Sequence, residues 1–160
     1  MASQKNSQII RWAVIITSFI IVALILWNTY DFFKKFKTEE RAKMEILAKA
    51  YERFSSADLD AEISLESKII GSNHNIPMII TNEKDSITEW SNLDIEKSKN
   101  LKFLWKQLSI MKGQNKPIVI SYFDKKETIT LLIYYRNSDL LTKLKYYPVA
   151  LILILFLFAS

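Results

Sequence analysis

No cysteine occurs in this chain, which excludes disulfides, thiol nucleophiles and zinc–thiolate sites and leaves an oxidising or a reducing compartment equally open. Two glycines and three prolines in 160 residues, with apolar residues abundant, argue for helices and against a disordered or loop-rich chain. A single histidine, His74, lies in the run SNHN. One imidazole with no second histidine or cysteine is a poor metal site, and an exposed loop histidine is the reading that remains. Carboxylate pairs such as Glu39–Glu40 have no partner base, so no catalytic constellation is visible. The formal charge is +5, with Lys and Arg spread among Glu and Asp, which suits a membrane-proximal protein better than a nucleic-acid binder. Even the run Lys97, Lys99, Lys102 and Lys106, beside Trp105, is sparser than a phosphate-binding patch and reads as a solvated helix face.

What the chain has instead is a long apolar run. Trp12–Trp27, WAVIITSFIIVALILW, contains no charge. Extended over residues 9–30 it gives about 22 residues, roughly 33 Å of helix, against a hydrocarbon core of about 30 Å. Trp12, Trp27 and Tyr30 fall where interfacial aromatics are expected, and Arg11 is placed to snorkel. The run is too long for a signal-peptide core, and WNTYDFFKKF after it offers no small-residue cleavage site, so an uncleaved anchor is expected.

A stretch of high helix propensity follows, without Pro or Gly until Gly71. Met44, Leu47, Tyr51 and Phe54 form one narrow apolar seam at spacings of three and four, either a contact with a partner helix in a homodimer or a face packed on the chain's own domain. Ser56 or Asp58 is a candidate cap for a second helix through Ile63, Leu65 and Ile69, ending at Gly71. IPMIITNEKDSITEWSN then reads as a hairpin, with strands near Ile76–Thr81 and Ser86–Trp90 and a four-residue loop. Leu101, Leu104, Trp105, Leu108 and Met111 mark one face of an amphipathic helix from near Leu93 to Gly113. A second hairpin, PIVISYF–DKKE–TITLLIYY, completes four strands, expected to form one sheet covered on one face, with Tyr134 and Tyr135 on opposite sides and one of them inward. Trp90, Asn92 and Asp94 at the strand-to-helix junction are the candidate ligand-binding corner; the alternative is a buried Trp90 with Asn92 capping the next helix.

Ser138 is a candidate N-cap for a return helix, Tyr146 and Tyr147 make an interfacial pair, and Val149–Ala159 is uninterrupted apolar sequence. That is half of what a bilayer crossing requires, so the chain is expected to end within a second span, with Pro148 at its entrance as a kink or a first-turn proline. The expected organisation is a tail over residues 1–8, a transmembrane helix over 9–30, a middle domain over 31–146, and the start of a second span over 148–160. Within the middle domain lie a juxtamembrane helix (31–57), an α/β module (58–136) and a return helix (137–147). The class is α/β (α+β): a long N-terminal helix, a small, mostly antiparallel, PAS-like four-stranded sheet with an amphipathic helix, and a C-terminal helix entering the membrane. Charge does not orient it, because Lys34, Lys35, Lys37, Arg41 and Lys43 crowd the domain side of the first span while long domains translocate largely regardless of charge.

The segments NIPMIITNEKDSITEWSNLD, LWKQLSIMKGQNKPIVISYF and IYYRNSDLLTKLKYYP resemble the sensor region of membrane-bound histidine kinases of the Bacteroidota type. The most specific parts are IPMIIT, Trp90-x-Asn92-Leu93-Asp94, and the tyrosine- and leucine-rich stretch from Tyr134 to Pro148. The resemblance implies a periplasmic middle domain, a cytoplasmic N-terminus, a multi-pass protein of the inner (cytoplasmic) membrane, and a homodimer. It further implies that ATP, Mg and a response regulator belong to a kinase part outside this chain, which carries no phospho-acceptor histidine and no ATP-lid pattern. The expected function is the input and anchoring half of a two-component sensor, with Met44, Leu47, Tyr51 and Phe54 as dimer contact and Pro148 as hinge. The alternative is a membrane-anchored interaction or assembly module with no kinase attached.

Overall fold

The computed structural model describes residues 2–57, 61–124 and 127–159, and the side chains of 8–57, 61–123 and 127–154. Asp58 and the hairpin residues Lys125 and Lys126 lie outside the described residues. The chain divides into two compact units, Lys37–Thr142 and Met1–Phe36 with Lys143–Ser160.

Helix α1 (Ala2–Ser56) contributes to both units without a break. Its N-terminal part is the one helix among the described residues that is long and apolar enough to cross a membrane, judged by length and composition, and none of the apolar window is buried. Two of the hydroxyls in this part are turned onto the helix: Ser18 Oγ donates to Val14 O at 2.9 Å and Thr29 Oγ1 to Ile25 O at 2.8 Å. Such bonds satisfy hydroxyl donors on an otherwise apolar surface. Helix α5 (Asp139–Ala159) enters this unit from Lys143 onward and carries Pro148 in its interior, well beyond the first turn. Pro148 therefore removes one helical donor.

The unit Lys37–Thr142 is built on a four-stranded antiparallel sheet in the order β2-β1-β4-β3. The strands are β1 (Met78–Asn82), β2 (Ile87–Ser91), β3 (Ile118–Asp124) and β4 (Glu127–Tyr135). The loop of the first hairpin needs no glycine. Asn82 Oδ1 accepts from the N–H groups of Lys84 (3.0 Å) and Ser86 (2.9 Å), and Asp85 takes the left-handed conformation at φ 61°, both habits of Asn and Asp in tight turns.

Both faces of the sheet are covered, not one. On the first, Met44, Leu47, Ala48 and Tyr51 of α1 pack against Met78, Ile80, Ile118, Ile120, Ile133 and Tyr135. On the second, α4 (Leu101–Gln114) buries Leu108 and Met111 against Ile79 and Tyr134, with Ile87, Leu93 and Leu132 around them. The one-faced expectation failed because the central strands are apolar on alternate and intervening positions alike: Met78, Ile79 and Ile80 are all buried, as are Ile133, Tyr134 and Tyr135. Tyr134 and Tyr135 do take opposite faces, and both are inward.

The helix expected from Leu93 to Gly113 is two helices. Asp94 caps α3 (Ile95–Ser98) by accepting from Lys97 N at 3.0 Å, and Asn100 restarts the chain by capping α4, accepting from Lys102 N at 2.9 Å. The capping role expected of Asn92 thus belongs to Asp94. Helix α2 (Ser64–Gly71) begins after Ile63 with no side-chain cap, and Ser56 Oγ donates back to Arg53 O at 3.2 Å. Its buried Glu66 pairs with Arg53 of α1 at 3.2 Å.

Candidate functional site

The segment that hands the sheet over to α5, Arg136–Ser138, is held by more elements than any turn requires. Arg136 N donates to Pro77 O at 3.1 Å, where β1 is about to begin. Arg136 Nη1 donates to Gln107 Oε1 of α4 at 2.9 Å. Asn137 N donates to Gln114 Oε1 at 3.0 Å, and Asn115 Nδ2 bonds Tyr135 O (3.2 Å) and Asn137 Oδ1 (3.3 Å), which ties the end of α4 to the same linker.

From the other face, α1 reaches it through Glu40. Ser138 Oγ donates to Glu40 Oε1 and Ser138 N donates to Glu40 Oε2 at 3.3 Å. The Ser138 hydroxyl also accepts from Leu141 N at 3.3 Å, so the residue that caps α5 is the residue gripped by α1. Two further α1 side chains meet nearby backbone. Arg41 Nη1 donates to Lys116 O at 2.6 Å and Lys37 Nζ to Gln114 O at 3.4 Å. The apolar seam of α1 thus turns polar over Lys37, Glu40 and Arg41, where the helix leaves the sheet for the ends of α4, β3 and the linker.

Beside this linker opens a cleft of about 430 Å³ lined by His74, Asn75, Pro77, Asn92, Arg136, Ser138, Asp139 and Leu140. Asn92 stands at its rim in the left-handed conformation, φ 57°, with Nδ2 donating to Asn73 O (2.7 Å) and Ile76 O (3.1 Å). Those bonds fix the loop that carries His74. Arg136 has no carboxylate within ion-pair distance among the described residues, while Asp139 supplies the opposite charge on the same lining. The cleft therefore offers both signs of charge and several amide groups. No group of three or more metal-ligating side chains occurs among the described residues.

Of the candidate ligand-binding corner, Asn92 alone lines this cleft. Trp90 is on the edge strand β2, paired with Ile79 and 44% exposed. Asp94 is engaged in capping α3, and the donated N–H of Lys97, with its ammonium group beside it, holds its carboxyl below the ordinary carboxylate range. His74, read as an exposed loop residue, lines the cleft, and Arg136 and Asp139 were not singled out in the sequence. Their signal was present only as charged residues flanking a predicted N-cap.

The seam residues need a correction. Met44, Leu47 and Tyr51 are buried by the chain's own sheet and are not available as a dimer contact; of the four, Phe54 remains open, at 43% exposure. The physical reason is that the strands supply the apolar surface a narrow helix stripe requires. Tyr51 also donates from its hydroxyl to Glu89 Oε1 of β2 at 2.9 Å. Burial, then that bond, pushes its pKa far above the ordinary phenol value. Tyr135 is raised too, by burial, with Arg41 opposing from 6.0 Å above its ring.

Comparison with family models, with curated proteins and with solved structures finds no match to this chain.

Proposed function

We propose that this chain is the input and membrane-anchoring region of a sensor histidine kinase, with the Lys37–Thr142 unit on the periplasmic side and the apolar end of α1 in the inner membrane. The observation that carries the reading is Ser138. It lines the cleft, caps α5, and is held by Glu40 of the same helix that carries the apolar segment. A stimulus at the cleft changes the positions of Asn92, Arg136 and Asp139, and the linker passes that change to the start of α5 against α1. Such a stimulus acts only through unequal affinity for two arrangements of this junction.

In this reading α5 leads to a second span through Pro148, which serves as the hinge, and the unit belongs to the PAS-like class of sensor modules. ATP, Mg and the response regulator are the business of the kinase part. The homodimer makes its contact through surfaces other than Met44, Leu47 and Tyr51, because those are spent on the core. The test is a chimera in which a histidine-kinase catalytic core follows residue 160. Glu40→Gln and Asn92→Ala are expected to change its autophosphorylation rate in membranes, and Lys49→Gln, on an exposed surface, is expected to leave it alone. Equal rates for all of them would contradict the proposal.

A further inference from the structure

Arg136 is anchored but not neutralised. Its Nη1 donates to Oε1 of Gln107, itself buried, while its Nε and Nη2 make no hydrogen bond and no carboxylate comes within ion-pair distance among the described residues. The guanidinium is thus fixed from one side, with the fork that matches a carboxylate still open. Asp139, three positions on, is exposed and makes no ion pair among the described residues either. Both line the one cleft, together with the apolar side chains of Pro77 and Leu140, and the short chain between them keeps their Cα atoms within about 11 Å of each other. A third group is open as well. Asn92 gives Nδ2 to Asn73 O and Ile76 O, which leaves its Oδ1 an acceptor without a partner among the described residues.

The two signs of charge decide what the cleft takes. A bare anion that pairs with Arg136 brings like charge to Asp139, and a bare cation at Asp139 brings like charge to Arg136; a molecule carrying both charges satisfies both side chains. At about 430 Å³ the cleft falls at the small end of the range of about 300–1,000 Å³ usual for small-molecule sites. We infer that it binds a small zwitterion with an apolar body, a free apolar amino acid or a dipeptide of such residues. The carboxylate meets the open fork of Arg136, the ammonium is held by Asp139 and Asn92 Oδ1, and the apolar body packs on Pro77 and Leu140. The inference deepens the proposal above and rests on its reading of the cleft as the input site, but binding is measured without any kinase. Absence of binding would remove the ligand and leave the chimera experiment standing; binding with equal rates in the chimera would remove the sensor and leave the ligand.

The probes are L-leucine and leucyl-leucine, titrated calorimetrically onto the full chain in detergent beside the two halves of leucine: isocaproate, which lacks the ammonium, and isopentylamine, which lacks the carboxylate. The better zwitterion is expected to bind roughly tenfold or more tightly than either half. Which of the two zwitterions binds better tells a free amino acid from a dipeptide, whose charges are one peptide unit further apart. Asp139→Asn is expected to abolish the preference over isocaproate and to keep that over isopentylamine. Arg136→Gln is expected to do the reverse, an exchange of preferences that a misfolded chain does not produce. No binding of either zwitterion, a half binding as tightly as the better zwitterion, or preferences that neither substitution changes would each overturn the proposal.

Discussion

Replacing Leu47 by alanine separates the two roles open to the seam of α1. Leu47 is 3% exposed and packed against the sheet. The substitution removes three carbons, worth about 2.4 kcal/mol of transfer free energy at ~0.8 kcal/mol each. The cavity left behind raises the expected cost into the range of about 2.7–5 kcal/mol seen for buried leucines. For a unit the size of Lys37–Thr142, roughly 4–8 °C of melting temperature is lost per kcal/mol, so a fall of at least about 10 °C is expected. The assay is thermal unfolding of the full chain in detergent, followed by circular dichroism at several protein concentrations. Ile46→Ala is the control one residue away, since Ile46 is 58% exposed, and a surface truncation is expected to cost less than about 0.5 kcal/mol. A core role makes the Leu47→Ala loss independent of protein concentration. A loss that shrinks as concentration rises, or one no larger than that of Ile46→Ala, would refute the packing argument.

Ser138→Ala removes the cap of α5 and is expected to cost about 1 kcal/mol, with faster amide exchange at Leu141, whose N–H it holds; unchanged exchange there would count against the cap. Tyr51 and Tyr135 have folded pKa values raised above the unfolded one of about 10. Their contribution to stability is therefore complete below about pH 10 and is lost as pH climbs above it. Tyr51→Phe should flatten that alkaline loss in melting curves recorded from neutral pH upward, and an unaltered pH profile would contradict it. Thr81 Oγ1 is fully buried without a hydrogen-bond partner among the described residues, so Thr81→Val, of the same shape, is expected to raise stability by about 1 kcal/mol, and a decrease in melting temperature would show the hydroxyl to be satisfied.

Local chemistry was enough to read most of the elements. The apolar run of α1, both hairpins, the Asn82–Ser86 loop without glycine, and the Ser138 cap each depend on residues within a few positions of one another. What sequence reading missed depends on distant ones. The strands β1 and β4 are apolar at every position of Met78–Ile80 and Ile133–Tyr135, a pattern that leaves the number of covered faces open until the helices are known. Met44, Leu47 and Tyr51 fit a partner helix or a sheet equally well by spacing alone. The helix break at Asn100 was masked because Leu93 and Leu101 keep an acceptable phase across it. The cleft gathers residues from 74 to 140, of which His74, Asn92 and Ser138 stand out in the sequence, whereas Arg136 and Asp139 acquire meaning from the loop that Asn92 ties down opposite them.

The absence of cysteine makes the central claim directly measurable. Lys84, in the loop between β1 and β2, is exposed, and Lys84→Cys supplies the chain's one thiol. In intact cells a membrane-impermeant maleimide is expected to label it as fully as after lysis, with the labelled chain extracted from membranes only by detergent. Labelling confined to lysed cells would put the domain in the cytosol, and release by a carbonate wash would remove it from the membrane; either result would contradict the account.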